Sequence, residues 1–444
     1  MGKHGDDCVW LEKECVMRDS NFGGQAIRTK KKLPIHSFIP VLMLLMSLAL
    51  LFAMAAQAQT YSVIHAFTGG RDGGYPFTGL TLEGQNLFGT TFGGADNYGT
   101  AFLLKPSGSA WVLSTLHTFE NGPDGAGPSS PLTVGPDGAL YGATSAGGGG
   151  PCFTSNGYHG CGTVYKLLPP THSSPNTNPG WSATILYDFS GTDGSYPQGA
   201  LTFDSNGTLY GTAVNGGTAD SGVIYTLTPS TGQWTQNILY NVMDDGDGEF
   251  PWGGVIFDNT GNLYGVMTNG GPNGFGVVYE LSPSGSGWTE SAIHGFTDEG
   301  NDGMGPQSGL IKDSAGNLYG ATVYLPNSGG SAFELTPSGG GWNYDFITAF
   351  QGGLNLGPYA NLVMDSSGNL YGTTFADGQF GYGTVFKLTR SGGSWSYQSL
   401  HNFTGGNDGA SPMAPLILDG SGNLYGTTSS GGQYAAGVVF KITP

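Results

Sequence analysis

From residue 59 onward, apolar and polar positions alternate in runs of five to nine residues, broken by clusters of Gly, Pro, Asp, Asn and Ser. The unit that starts at Pro412 shows the plan. "APLILD" (414–419) enters the turn "GSGN", "LYGTT" (424–428) follows, and after a Gly-rich loop comes "GVVFKI" (437–442). Complete units add a fourth run that opens on an aromatic, such as "WSYQSLHNF" (395–403). Alternation over such lengths, rich in β-branched and aromatic residues, predicts strands, and no part of 59–444 sustains a period of 3.6. The phrase "GNLYGTT" occurs at 368–374 and again at 422–428. Its aromatic recurs at Phe88, Tyr141, Tyr210, Tyr264, Tyr319, Tyr371 and Tyr425, at spacings of 53, 69, 54, 55, 52 and 54. The one long step contains an insert over 148–180.

Seven four-stranded units of this length predict an all-β fold, a seven-bladed β-propeller. The seventh unit lacks a fourth strand within 417–444, while "YSVIHAF" (61–67) matches "YQSLHNF" (397–403). The N-terminal strand is therefore expected to complete the last blade and close the ring, which removes unpaired edges. A β-solenoid would have shorter units and no use for a borrowed strand. The turn Asp-x-x-Gly-Asn, as at 365–369, offers an acceptor side chain and a glycine for positive φ. The glycine of "LYG" lies inside a strand, which points to close backbone packing near the axis or to a bulge.

Residues 1–58 read differently. Lys30, Lys31 and Lys32 precede an apolar run over 38–56, and Ala56-Gln57-Ala58 follows. That order is expected of a signal peptide with a long n-region, cleaved after Ala58, with Met17 as an alternative start. An uncleaved anchor is the competing reading, since the run is just long enough to span a bilayer. Past residue 58 the chain keeps 7 Lys+Arg against 27 Asp+Glu, a net of −20 over 386 residues. Such acidity argues against nucleic-acid and anionic-membrane partners. Cys8 and Cys15 fall in the segment expected to be removed. Cys152 and Cys161, nine apart, read as one disulfide of an exported chain. The expected mature product is a secreted, cell-surface or periplasmic monomer.

"LYGTT…GG…GTVFKL" followed by a W…LHxF strand resembles the GloVer-type tandem repeat, a bacterial β-propeller-like repeat, across 60–444. The resemblance implies an exported protein of the choice-of-anchor kind and no particular reaction. Two departures stand out. No sorting segment follows the seventh unit, and the fifth unit, "ATVYLPNSGGSAFEL", has lost the Gly-Gly directly after its second strand.

The loops between units repeat an acidic residue: Asp72, Asp124, Asp193, Asp247, Asp302 and Asp408, with Asn355 in the sixth. One reading is an acidic ring that binds a cation or a cationic or polyhydroxylated ligand, with calcium the natural metal for oxygen ligands. The other is Asp-Gly turn chemistry repeated because the blade is repeated. No other cofactor is indicated. His65, His117, His294 and His401 share one fourth-strand position, taken elsewhere by Tyr187, Tyr240 and Thr348, as expected of half-buried strand positions. Trp111, Trp181, Trp234, Trp288, Trp342 and Trp395 are expected to pack between blades. Trp252 departs from that pattern and sits beside Asp244, Asp245, Asp247 and Glu249, as a carbohydrate site would. Nucleophile-elbow, zincin and phosphate-loop motifs are absent. The expected function is a binding or interaction module for an extracellular polysaccharide or a surface protein. Its rivals are a carboxylate-dependent lyase or glycoside hydrolase at the propeller channel and a purely structural surface protein.

Overall fold

The computed structural model describes residues 9–11, 14–16, 59–94, 98–153, 157–170, 180–243, 246–285, 287–326, 328–352 and 357–443. The chain divides into two compact units, Met1–Ala58 and Gln59–Pro444. In the first, Val9–Leu11 pairs antiparallel with Glu14–Val16. The expected n-region, apolar run and cleavage site lie outside the described residues.

The second unit is a ring of seven antiparallel sheets, a seven-bladed β-propeller. Blade 1 runs Thr81–Glu83, Asn86–Thr91, Thr100–Ser107 and Ala110–Thr118. Blade 4 runs Ile256–Phe257, Leu263–Met267, Val277–Ser284 and Gly287–Gly295. In blade 2 the first position is split, Ala126–Pro128 and Thr133–Val134 both pairing with Leu140–Ala146. Blade 7 is composite: Ile417–Leu418, Leu424–Thr428 and Val438–Thr443 come from the end of the chain, and Thr60–Ala66 completes the sheet. In that closing pair Tyr61 faces Ile442 and Ala66 faces Val438.

Each hydrophobic cluster spans two neighbouring blades. Val278, Phe296 and Tyr264 of blade 4, for example, pack with Leu310, Leu318 and Phe333 of blade 5. The tryptophans pack between blades as expected: Trp342 meets Tyr264 edge-on at 5.7 Å and Trp234 meets Tyr141 at 6.0 Å. The Asp-x-x-Gly-Asn turns also form as expected. Asp365 accepts from the backbone N–H of Ser367 and Asn369 and from the Tyr371 hydroxyl, and Gly368 has φ +79°.

The glycine of "LYG" has a different cause from the two anticipated. It faces an aromatic of the third strand, as Gly265 faces Tyr279 and Gly372 faces Phe386. A Cβ on Gly265 would stand 2.3 Å from the Tyr279 hydroxyl, and one on Gly372 2.6 Å from Phe386 Cζ. The glycine makes room for a ring laid flat across it, a side-chain rather than a backbone approach.

The first strands meet around the axis through small residues. A Cβ on Gly79 would lie 2.7 Å from Pro415 and 3.4 Å from Pro131, joining blades 7, 1 and 2. Gly254 abuts Ala200, and Gly253 abuts Gly309. Side chains tie first strands to their neighbours: Thr133 donates to the Leu201 carbonyl at 2.8 Å, Thr202 to Val255 at 3.0 Å and Lys312 to Phe257 at 2.6 Å. Among the described residues no helix is long and apolar enough to cross a membrane.

Candidate functional site

Strands alternate in direction, so the loops between blades and the loops joining second to third strands open on one face. The recurrent aspartates lie there. Each turns its carboxylate back onto the fourth strand that precedes it. The Nε2 atoms of His65, His117, His294 and His401 stand 3.3, 3.2, 2.7 and 3.1 Å from Asp72, Asp124, Asp302 and Asp408. The Tyr187 hydroxyl donates to Asp193 at 2.6 Å, and the Tyr240 hydroxyl donates to Asp247. The same carboxylates accept the backbone N–H of Thr68, Glu120, Ser190, Met243, Thr297 and Thr404. The result is a clasp that fixes the loop to its strand.

The clasp has an electrostatic signature. Burial alone would raise the Asp72 carboxyl, but the bonds from Thr68 and His65 outweigh it and hold the group below the usual carboxylate range. Asp124 is lowered in the same way, burial being outweighed by His117 and by backbone N–H groups. Burial pushes the His65 and His401 imidazoles down, and the facing carboxylates only partly offset it. Among the described residues no three His, Cys, Asp or Glu side chains gather in a metal-holding group. The structure thus spreads the six aspartates over six clasps instead of converging them on one point. Asp244, Asp245 and Asn355 lie outside the described residues.

The sixth loop shows a signal that the sequence carried. Where Asn355 replaces the aspartate, Thr348 replaces the histidine or tyrosine. In the other six loops these two columns are the two halves of one contact.

A proline ends every one of these loops, and the residue before it does a second job. Tyr75, Tyr196, Phe250 and Ser411 have φ of 58°, 56°, 60° and 54°, and Gly127 and Gly305 take the same left-handed conformation. Their N–H groups donate across the blade boundary to the carbonyls of Ala436, Cys161, Ser221, Tyr382, Tyr98 and Phe275 respectively. Left-handed backbone is natural for glycine and strained for a bulky side chain. Tyr75, Tyr196 and Phe250 accept that strain and set an aromatic on the face, Tyr75 being half exposed.

Trp252 has counterparts at this level. It follows Pro251 as Phe77 follows Pro76, Tyr359 follows Pro358 and Met413 follows Pro412, with Ser129, Gln198 and Gln307 in the other blades. Trp252 is exposed, and of the other six only Ser129 is buried. Phe77 meets Phe92 at 4.7 Å with the rings tilted by 40°, and Tyr359 meets Phe375 edge-on at 5.5 Å. Asp247 accepts from the Tyr240 hydroxyl, and Glu249 pairs its backbone with Asn269.

The insert of blade 2 adds one more ring. Cys152 and Cys161 form the expected disulfide. Between them, Tyr158 reaches over blade 1, 6.0 Å from Phe92 and 5.2 Å from Tyr98. Burial raises the Tyr158 phenol, with Tyr98 adding to the shift.

A family model matches residues 151–344 and 325–444, which together span most of the propeller. The chain belongs to the Gloeobacter/Verrucomicrobia repeat family. Blades 3 to 6 and the C-terminal strands of blade 7 lie within the matched span. A search of curated proteins finds no match. Among solved structures, the repeat propeller is similar to a protein of unknown function from Dyadobacter fermentans, at 12% identity and a TM-score of 0.45, over 77% of this chain and 98% of that one. It is similar to a family AA12 carbohydrate-active enzyme of Trichoderma reesei, at 13% identity and a TM-score of 0.42, over 88% and 96%. An ulvan lyase of a polysaccharide lyase family is similar at 10% identity and a TM-score of 0.46, over 86% and 95%.

Proposed function

We propose that this protein is an exported binding module whose loop face takes an extracellular polysaccharide. The observation that carries the reading is the level of side chains flanking the loop prolines. There Phe77, Trp252 and Tyr359 follow the prolines, while Tyr75, Tyr196 and Phe250 precede them in a strained backbone conformation. Strain of this kind costs about 1–3 kcal/mol per residue and is kept where surrounding structure and use demand it. Rigid aromatics lose little side-chain entropy on binding and offer apolar faces to the C–H faces of sugar rings. Export is supported by the signal-like segment before residue 59 and by the Cys152–Cys161 pair, which suits an oxidising compartment. A channel enzyme gains no support, because the first-strand segments over 77–83, 129–134, 198–203, 252–257, 307–312, 359–364 and 413–418 carry a single carboxylate, Glu83.

Affinity electrophoresis through gels containing soluble polysaccharides tests the reading. The native protein should be retarded by at least one of them. Trp252→Ala and Phe77→Ala should lose the retardation while keeping the native unfolding midpoint. Equal retardation of native and variant proteins would remove the loop face as the site.

A further inference from the structure

The protein is strongly acidic, yet the positions on either side of the seven loop prolines carry no charge. The fourteen residues that flank the seven loop prolines are Tyr75 and Phe77, Gly127 and Ser129, Tyr196 and Gln198, Phe250 and Trp252, Gly305 and Gln307, Gly357 and Tyr359, and Ser411 and Met413, and none is ionisable near neutral pH. The nearest recurrent carboxylates are already committed: six aspartates are bonded to a histidine or tyrosine and to a backbone N–H of their own loop.

Six of the fourteen are aromatic, and two are amides, Gln198 and Gln307, both half-buried. Amides both donate and accept, which matches hydroxyl groups, and neither one attracts an ion. Around the level stands a net negative protein, so a polyanion approaching the face meets repulsion over a Debye length of about 8–10 Å at ordinary salt.

We infer that the ligand of the loop face is a neutral polysaccharide, one without uronate, sulfate or amino groups. This inference rests on the loop-face reading proposed above. Aromatic rings would carry the apolar faces of successive sugars, and Gln198 and Gln307 would bond their hydroxyls.

The test is a paired panel in affinity electrophoresis at low and high salt: xyloglucan and galactomannan as neutral chains, alginate and polygalacturonate as anionic chains, chitosan as a cationic chain. A neutral chain is expected to bind at least about tenfold more tightly than either anionic chain, with little change between the two salts. Gln198→Ala and Gln307→Ala should each weaken that binding by about two- to tenfold, the range of a single neutral hydrogen bond. Trp252→Ala should weaken it further. Binding of alginate, polygalacturonate or chitosan that equals or exceeds the neutral chains, and fades in high salt, would overturn the neutral class and leave the polysaccharide site standing. Failure of every chain to retard the protein would overturn both.

Discussion

His294 Nε2 lies 2.7 Å from the Asp302 carboxylate, and its ring stacks on Tyr344 of the next blade at 4.3 Å. The Tyr344 hydroxyl in turn donates to the Asp302 backbone carbonyl at 2.6 Å. One aspartate therefore joins its own loop, the strand before it and the blade after it. Tyr61 repeats the arrangement against His401 and Asp408, where it ties the borrowed N-terminal strand to blade 6.

Removing a clasp should be felt across the blade boundary. Asp302→Ala loses the histidine bond and the Thr297 N–H bond together, and is expected to destabilise by about 1–3 kcal/mol. Asp302→Asn, which still accepts, should lose less. Chemical denaturation midpoints of the two variants check the order.

Acid should weaken the fold in two stages. His65 and His401 have folded-state values below their ordinary one, so the unfolded chain takes up protons first, and stability falls as pH drops below about 6.5. Asp72 and Asp124 are also lowered, so their contribution is present above about pH 4 and is lost below it. Thermal midpoints measured from pH 8 down to pH 3 should decline in both windows. A flat profile from pH 7 to pH 5 would contradict the histidine assignment.

Calcium should leave the thermal midpoint where chelator leaves it. The loop aspartates already bond histidine, tyrosine and backbone donors, and only a species bound to the folded state raises the midpoint. A clear rise with millimolar calcium would show that the clasps open to ligate it.

The strand glycine and its aromatic should behave as a unit. Gly265→Ala brings a methyl group to 2.3 Å from the Tyr279 hydroxyl and is expected to destabilise by about 1–3 kcal/mol. The hydroxyls of Tyr165, Tyr225 and Tyr279 are buried with no hydrogen-bond partner among the described residues, while Phe102, Phe333, Phe386 and Phe440 occupy the position in the other blades. Tyr279→Phe should therefore be neutral or stabilising by up to about 1–3 kcal/mol, and should relieve part of the Gly265→Ala loss. A double-mutant cycle on denaturation midpoints measures both.

The fold was readable in the chain because a repeat states its own period. The "LYG" phrase marks every second strand, and "YSVIHAF" betrays its missing partner at the far end. Turn chemistry was readable for the same local reason. The clasp was written in two columns of residues, His or Tyr and then Asp, but their contact needs a bend of the chain that alternation does not encode. Trp252 looked solitary because its level in the ring is defined by the proline before it, and the residue type there varies from Phe77 to Gln198 to Met413. The small residues at the axis gave no sign either, since glycine and serine also fill loops.

Closing blade 7 with Thr60–Ala66 has a kinetic meaning. The propeller's first strand finds its sheet only once its partner Val438–Thr443 has been made. At about 5–20 residues per second of synthesis, the early strand waits roughly twenty to seventy-five seconds for the later one. Blades 1 to 6 assemble from neighbours in sequence, whereas the final pairing closes the longest loop in the molecule. A product cut short before residue 438 leaves Thr60–Ala66 without its partner, and the ring remains an open arc. The borrowed strand therefore works as a proof of length, granting the closed state only to chains made as far as its partner strand.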